Sequence, residues 1–177
     1  MFDEAFSRLN RLTFGNRPHG AYLCPIADLN QVESEWQKWL QLWLCIDKST
    51  NDTCGVCRSC QLFKSSNHPD LYFPNEDAPL TVDGVREGIA FIMKSPVFAS
   101  RRVWIVAHSD RMNRAAMNAL LKILEEPPSN GILLLLAAHP HSLLPTIRSR
   151  CLFLDDWARD DASIERLKEQ AGVSIEA

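Results

Sequence analysis

The stretch RVWIVAHSDRMNRAAMNALLKILEEPPSNGILLLLAA, residues 102–138, contains a complete strand–helix–strand unit. Its two ends, 102–107 and 132–138, are short apolar runs of the kind expected for strands that are covered on both faces. The segment between them, 113–126, has apolar residues at helical spacing and stops at the proline pair 127–128, which cannot continue a helix. This order of elements predicts an α/β fold in which the sheet is mostly parallel.

The same alternation continues through the rest of the chain. Short apolar runs at 21–24, 71–73 and 151–154 predict further strands, and helical periodicity marks 32–44 and 81–94. Strands that alternate with helices predict a three-layer α/β domain. Beyond the last strand the chain becomes highly charged, which predicts a further helix that leaves this domain.

Composition and charge narrow the class of protein. The 177 residues are 46% apolar, which is enough for the core of one domain. A formal net charge of −3 argues against a general nucleic-acid binder, because such binding needs clustered Lys and Arg. The N-terminus lacks the apolar core of a secretory signal, and the longest apolar run, 132–138, is too short to span a bilayer. We therefore expect a soluble, cytoplasmic protein.

The segment TCGVCRSC, residues 53–60, places Cys54, Cys57 and Cys60 at intervals of two intervening residues. In a reducing compartment, clustered cysteines are more often metal ligands than disulfides, and a structural zinc site needs four ligands. Cys45 is the favoured fourth ligand, because a polar loop after the preceding helix can fold back toward the other three. The weaker candidates are Cys24, Cys151 and His68. A redox pair and a metal-free cluster are the alternatives to structural zinc.

Three motifs together resemble the nucleotide-binding domain of bacterial DNA polymerase III clamp-loader subunits. They are VDGVRE (82–87), NALLKILEEPP (118–128) and LLPTIRSRC (143–151), and the C-x8-C-x2-C-x2-C spacing at 45–60 ahead of HPD (68–70) strengthens the match. The resemblance covers roughly residues 5–160. It implies an AAA+ (P-loop NTPase-like) fold with a five-stranded, mostly parallel sheet and a small zinc-binding insertion. The zinc ligands of the family map onto Cys45, Cys54, Cys57 and Cys60.

The resemblance also implies a division of the chain. Residues 1–157 would form the AAA+ domain, with the zinc module at about 45–68. Residues 158–177 would begin a helical lid domain whose remainder is absent.

The positions that serve ATP in this family carry the wrong residues here. A phosphate loop needs glycines, a lysine and a hydroxyl. The residues at those positions are Ile26, Gln31, Val32 and Glu33. Ala107 and His108 follow the third strand, where carboxylates should hold the metal ion, and Ala137 and Ala138 end the fourth strand in place of a polar sensor of the γ-phosphate. We therefore expect no bound ATP and no ATP hydrolysis by this chain.

Arg150, in the SRC motif, matches the family arginine that reaches the ATP of an adjacent subunit. The alternative interpretation of Arg150 is a solvated side chain or one in an ion pair with an acid such as Asp155. Glu125 and Glu126 oppose the dipole of the predicted helix that they end, which indicates either a functional contact or simple solvation.

The resemblance implies a non-catalytic, delta-prime-like clamp-loader subunit that lacks its own ATP site. Such a subunit supplies an arginine finger in trans and helps to load the sliding clamp on primed DNA during replication. Its expected partners are an ATPase motor subunit and a delta-like subunit and, through the complex, the clamp and primed DNA; no membrane is expected. Two alternatives remain: an active ATPase motor subunit of the same family, and a free-standing zinc-bearing interaction domain.

Overall fold

A computed structural model describes residues 20–25, 33–47, 53–74 and 79–153. In chain order, these ranges contain β1 (Ala21–Pro25), α1 (Glu33–Leu44), α2 (Arg58–Lys64), β2 (Leu71–Tyr72), α3 (Val82–Ile92), β3 (Arg102–Val106), α4 (Arg114–Glu125), β4 (Gly131–Ala137), α5 (Pro145–Arg148) and β5 (Leu152–Phe153). Single 3₁₀ turns follow β3 and β4. The expected lid segment, 158–177, lies outside the described residues.

The five strands form one sheet in the order β2-β3-β4-β1-β5, and every described pairing is parallel. All seven residues of β4 are buried, and this strand pairs with β3 on one side and β1 on the other. Parallel neighbours need crossover connections, which the helices supply. The five-stranded α/β fold expected from the sequence is therefore confirmed.

Side chains on β4 alternate between two apolar cores, one on each face of the sheet. Leu133 and Leu135 contribute to the core that is covered by α3 and α4. Leu134 contributes to the opposite core, where Trp43 of α1 packs. Helices on both faces of a parallel sheet give the three-layer architecture.

Helix α4 and the strands that flank it set the geometry of one edge of the sheet. The side chain of Asn113 caps the helix by accepting a hydrogen bond from the backbone N–H of Ala116 at 2.8 Å. The helix ends at Glu125, immediately before the proline pair, and the ring of Pro127 packs against Gly20 at the start of β1. The end of α4 therefore lies where the strands begin, at the edge that we call the amino edge; the opposite edge, where the strands end, is the carboxyl edge.

Among the described helices, none combines the length and the apolar character that crossing a membrane requires.

Candidate functional site

The sulfur atoms of Cys45, Cys54, Cys57 and Cys60 all lie within 4.8 Å of one another. Sγ of Cys45 is 3.7 Å from that of Cys54 and 4.0 Å from that of Cys57, and the Cys54–Cys60 separation is 4.0 Å. A tetrahedron of sulfurs around zinc, with Zn–S bonds of about 2.3 Å, has sulfur–sulfur separations of roughly 3.8 Å. The cluster therefore has the size and the donor set that can hold a metal ion such as zinc.

Two helix ends bring the cysteines together. Cys45 follows the last residue of α1, and Cys57 is the N-cap of α2. Gly55 adopts a left-handed φ of 69°, which favours glycine and allows the tight turn between Cys54 and Cys57. The backbone N–H of Cys57 donates to Sγ of Cys54 at 3.3 Å, and that of Cys60 donates to Sγ of Cys57 at 3.4 Å. Such N–H donors stabilise thiolates.

The electrostatics of the cluster favour a bound cation. Partial burial raises the pKa of Cys57, but backbone and thiol donors outweigh it and lower the value to about 6. Burial raises the pKa of Cys45, and it raises that of Cys60 to about 12. Four thiolates at these separations repel one another, and a divalent metal supplies the compensating charge.

The weaker ligand candidates lie elsewhere. Cys24 and Cys151 are buried, and burial raises the pKa of each thiol to about 12, as expected for small apolar side chains in a core. His68 is buried as well, but its ring nitrogens are hydrogen-bonded to Ser59 and to the backbone of Asp70. Of the four candidates for the fourth position, the structure brings only Cys45 to the other three cysteines.

The carboxyl edge, where an ATP site would lie, carries small or strained residues in its described part. Ala107 is buried directly after β3, and His108 has a left-handed φ of 45°. The carboxylate of Asp110 accepts a hydrogen bond from the backbone N–H of His139 at 2.9 Å, so it joins the turn after β3 to the turn after β4. Glu33 is the first residue of α1. The other phosphate-loop positions, Ile26, Gln31 and Val32, lie outside the described residues.

Arg150 lies at the amino edge. Its Nη2 donates to Oε1 of Glu125 at 3.0 Å, and its Nη1 donates to the carbonyl of Thr146 at 3.0 Å. Its side chain remains 35% exposed. Sequence reasoning flagged Glu125 and Arg150 separately but missed their contact, because no local pattern links residues 25 positions apart. Asp155, the acid named as a possible partner, lies outside the described residues.

Arg150 and the end of β1 lie at opposite edges of the sheet. Tyr22 of β1 pairs with Leu152 of β5, so Arg150, two residues before Leu152, lies near the start of β1. Strand β1 ends at Pro25, and the positions that match the family phosphate loop, 26–33, follow it in the sequence. At about 3.3 Å per residue, the length of β1 separates the two edges by roughly 13 Å. Arg150 therefore lies at the edge of the sheet opposite the one where β1 ends.

Comparison with known proteins gives consistent matches. The family model described as "DNA polymerase III, delta subunit" matches residues 2–155. The DNA polymerase III subunit delta' of Pseudomonas aeruginosa is 39% identical over 119 residues, which is 66% of this chain and 36% of that protein. The subunit delta' of Haemophilus influenzae is 34% identical over 145 residues, covering 80% of this chain and 44% of that protein. The chain thus spans less than half the length of these curated relatives.

A solved structure shows the same fold. The crystal structure of a DNA polymerase III gamma subunit-related protein from Thermotoga maritima superposes with a TM-score of 0.61. It covers 93% of this chain and 49% of that protein at 22% identity, so this likeness bears on the fold alone.

The strand order and the layers define a three-layer, parallel α/β domain that carries an inserted cysteine module, and the gamma subunit-related protein shares this fold. The chain belongs to the DNA polymerase III delta-subunit family, and it resembles the delta' subunits of that polymerase.

Proposed function

We propose that this chain is the nucleotide-binding-like domain of a non-catalytic, delta-prime-like clamp-loader subunit that acts on the ATP of a neighbouring subunit. The observation that supports the proposal is the position of Arg150 at the amino edge, opposite the edge where β1 ends. An exposed guanidinium at a rim of the domain suits a contact across a subunit boundary. There it stabilises negative charge on the transferring phosphate.

The chain itself binds and hydrolyses no ATP in this proposal. A buried methyl group at Ala107 provides no ligand for magnesium, and His108 is held in a turn. Val32 in place of the loop lysine removes the cation that β- and γ-phosphates require. The Glu33 carboxylate would repel a triphosphate.

One structural zinc ion is bound by Cys45, Cys54, Cys57 and Cys60. Four thiolates complete a tetrahedral site with no open position, so the metal organises the module at 45–68 and takes no part in a reaction. When bound, the ion supplies positive charge that keeps the cysteines deprotonated, and the cysteines link the end of α1 to the start of α2.

The partners follow from the proposed role. An ATPase motor subunit receives Arg150, and a delta-like subunit completes the ring. Through the complex, the chain helps to place a sliding clamp on primed DNA. Residues 1–157 form the AAA+ domain in this arrangement, and residues 158–177 begin the lid.

Reconstitution tests the proposal. The protein should co-purify with the ATPase and delta-like subunits of its own organism, and calorimetry of the protein alone with ATP and magnesium should detect no binding. Micromolar ATP affinity with measurable turnover would favour the active motor subunit. Failure to associate with any clamp-loader subunit would favour a free-standing zinc-bearing interaction domain.

A further inference from the structure

His68 is buried in a chain of directional hydrogen bonds beside the cysteine cluster. Its Nδ1 accepts from the backbone N–H of Asp70 at 3.1 Å, which leaves Nε2 as the protonated ring nitrogen. Nε2 lies 2.6 Å from Oγ of Ser59, and that hydroxyl donates to the carbonyl of Leu44. The direction of every bond in the chain is therefore fixed.

This hydrogen-bond chain joins the two segments that carry the cysteines, the end of α1 with Cys45 and the segment 54–60; we call these segments the cysteine arms. Leu44 precedes the ligand candidate Cys45, and Ser59 precedes the ligand candidate Cys60. His68 contacts neither sulfur in the described cluster, but it holds the backbone next to each one. Its position therefore depends on the cysteine arms being in place.

Asp70 continues the connection toward the loop between α3 and β3. Its side chain is fully buried, and its two carboxylate oxygens accept from the backbone N–H groups of Val97, Phe98 and Ala99 at 2.7, 2.8 and 2.9 Å. The guanidinium of Arg58, in α2, lies 4.6 Å from the centre of the Phe98 ring. The cysteine module and Asp70 thus hold the same loop from two sides.

We infer that His68 and Asp70 form a joint through which metal binding at the cysteine cluster orders the loop 95–100. This inference rests on the zinc site of the proposed function. Pro69 lies between the two residues and restricts the backbone, and the hydrogen bond from the Asp70 N–H to the His68 ring links their positions. The Asp70 carboxylate is also 3.7 Å from the guanidinium of Arg102 in β3, so the joint acts beside a fixed sheet contact. Helix α2 has only seven residues, too few for stability on its own, so its position depends on its contacts, which include the cluster cysteines Cys57 and Cys60.

The loop 95–100 and the cysteine module both expose apolar side chains, so the joint between them affects the surface of the protein. Four large apolar side chains are exposed among the described residues: two in the module at 45–68, one directly after α3 and one in the loop 95–100. They are Ile46, Val56, Met93 and Val97. Metal binding would therefore affect exposed apolar side chains in both the module and the loop.

Hydrogen exchange in zinc-loaded and chelator-stripped protein tests the joint. Removal of zinc should speed exchange at the amides of Val97, Phe98 and Ala99 by about tenfold, the effect of losing about one buried hydrogen bond. The amide of Leu133, which donates to Gly20 in the sheet, is the control and should stay protected. Equal acceleration at Leu133 would mean that the metal stabilises the whole domain, which would contradict a specific joint.

Two variants separate the joint from the metal site. His68→Ala and Ser59→Ala should each keep one zinc per chain, and an unchanged tetrahedral spectrum after cobalt substitution should confirm an intact site. In both variants the loop amides should exchange faster even with metal bound. Ser65→Ala, which removes an exposed hydroxyl from the same module, is the matched control and should leave the loop protected.

The outcomes distinguish the two proposals. A protein that binds no zinc contradicts both the metal site and the joint. If the protein binds zinc but its loop amides exchange at the same rate with and without zinc, the joint alone is contradicted. The same holds if His68→Ala and Ser59→Ala with zinc bound exchange these amides at the wild-type rate.

Discussion

The guanidinium of Arg150 and the carboxylate of Glu125 meet at 3.0 Å across the amino edge of the sheet. The pair joins the LEEPP and SRC motifs, which the chain keeps 25 residues apart. Glu125 is the last residue of α4, where a carboxylate alone opposes the helix dipole and a nearby cation offsets it. The pair therefore offsets the unfavourable position of the Glu125 carboxylate at the C-terminus of α4, and it holds the guanidinium of Arg150 at the rim of the domain.

Glu125→Gln tests how strong this pair is in the isolated protein. Both side chains are substantially exposed, 35% for Arg150 and 54% for Glu125, so solvent screens their attraction. We expect the free energy of unfolding to fall by less than about 1 kcal/mol in a urea titration. Glu126→Gln is the control, since the structure shows no ion pair for Glu126 within the described residues. A loss of more than about 2 kcal/mol for Glu125→Gln would show that the pair is structural.

Cys54→Ser should abolish stoichiometric zinc binding, because the cluster then lacks one thiolate of its tetrahedron. Elemental analysis of protein purified without added metal should give about one zinc per wild-type chain and almost none for the variant. Cys151→Ala is the matched control: this thiol is buried outside the cluster, so the variant should lose some stability but keep its zinc. Equal zinc content in wild type and Cys54→Ser would rule out the four-cysteine site.

Gly88→Ala tests the packing of α3 on the sheet. A Cβ at this position would lie 2.1 Å from ring atoms of Trp104, which is fully buried. We expect a loss of about 1–3 kcal/mol in unfolding free energy, although alanine favours a helix. Gly84→Ala, in the same helix, is the control: its nearest neighbours would be Cδ1 and Cγ of Leu80 at 2.8 and 3.2 Å, side-chain atoms that can shift, so the variant should lose much less stability than Gly88→Ala. An unchanged Gly88→Ala would mean that the helix lies further from the sheet.

Much of the fold could be predicted from the sequence because its signals are local. Apolar runs predicted the five strands within one or two residues, and the proline pair 127–128 predicted the end of α4. The sheet order required more than local signals, because β1 lies between β4 and β5, far from both along the chain. The resemblance implied that the five strands form one sheet, whereas local patterns do not specify which strands are neighbours.

The candidate site shows the same division. The three cysteines of TCGVCRSC were evident from their spacing, and the choice of Cys45 agrees with the observed cluster. The hydrogen bond between His68 and Ser59 was not predictable, since a histidine before a proline reads only as a turn. The ion pair of Arg150 was equally hidden, because it forms only when the end of α4 and the start of β5 reach the same edge of the sheet.

The central claim is that Arg150 acts on a neighbour's nucleotide. Its most direct test is the ATPase rate of the reconstituted clamp-loader complex that carries Arg150→Ala. Folding, zinc content and assembly should be unchanged, while turnover at the ATP site beside this subunit should fall by about 10³-fold or more. Arg150→Lys should restore little, because it keeps the charge but loses the planar fork, and Arg86→Ala, an exposed arginine of α3, should have no effect. A wild-type rate of ATP hydrolysis and clamp loading by the Arg150→Ala complex would contradict the account.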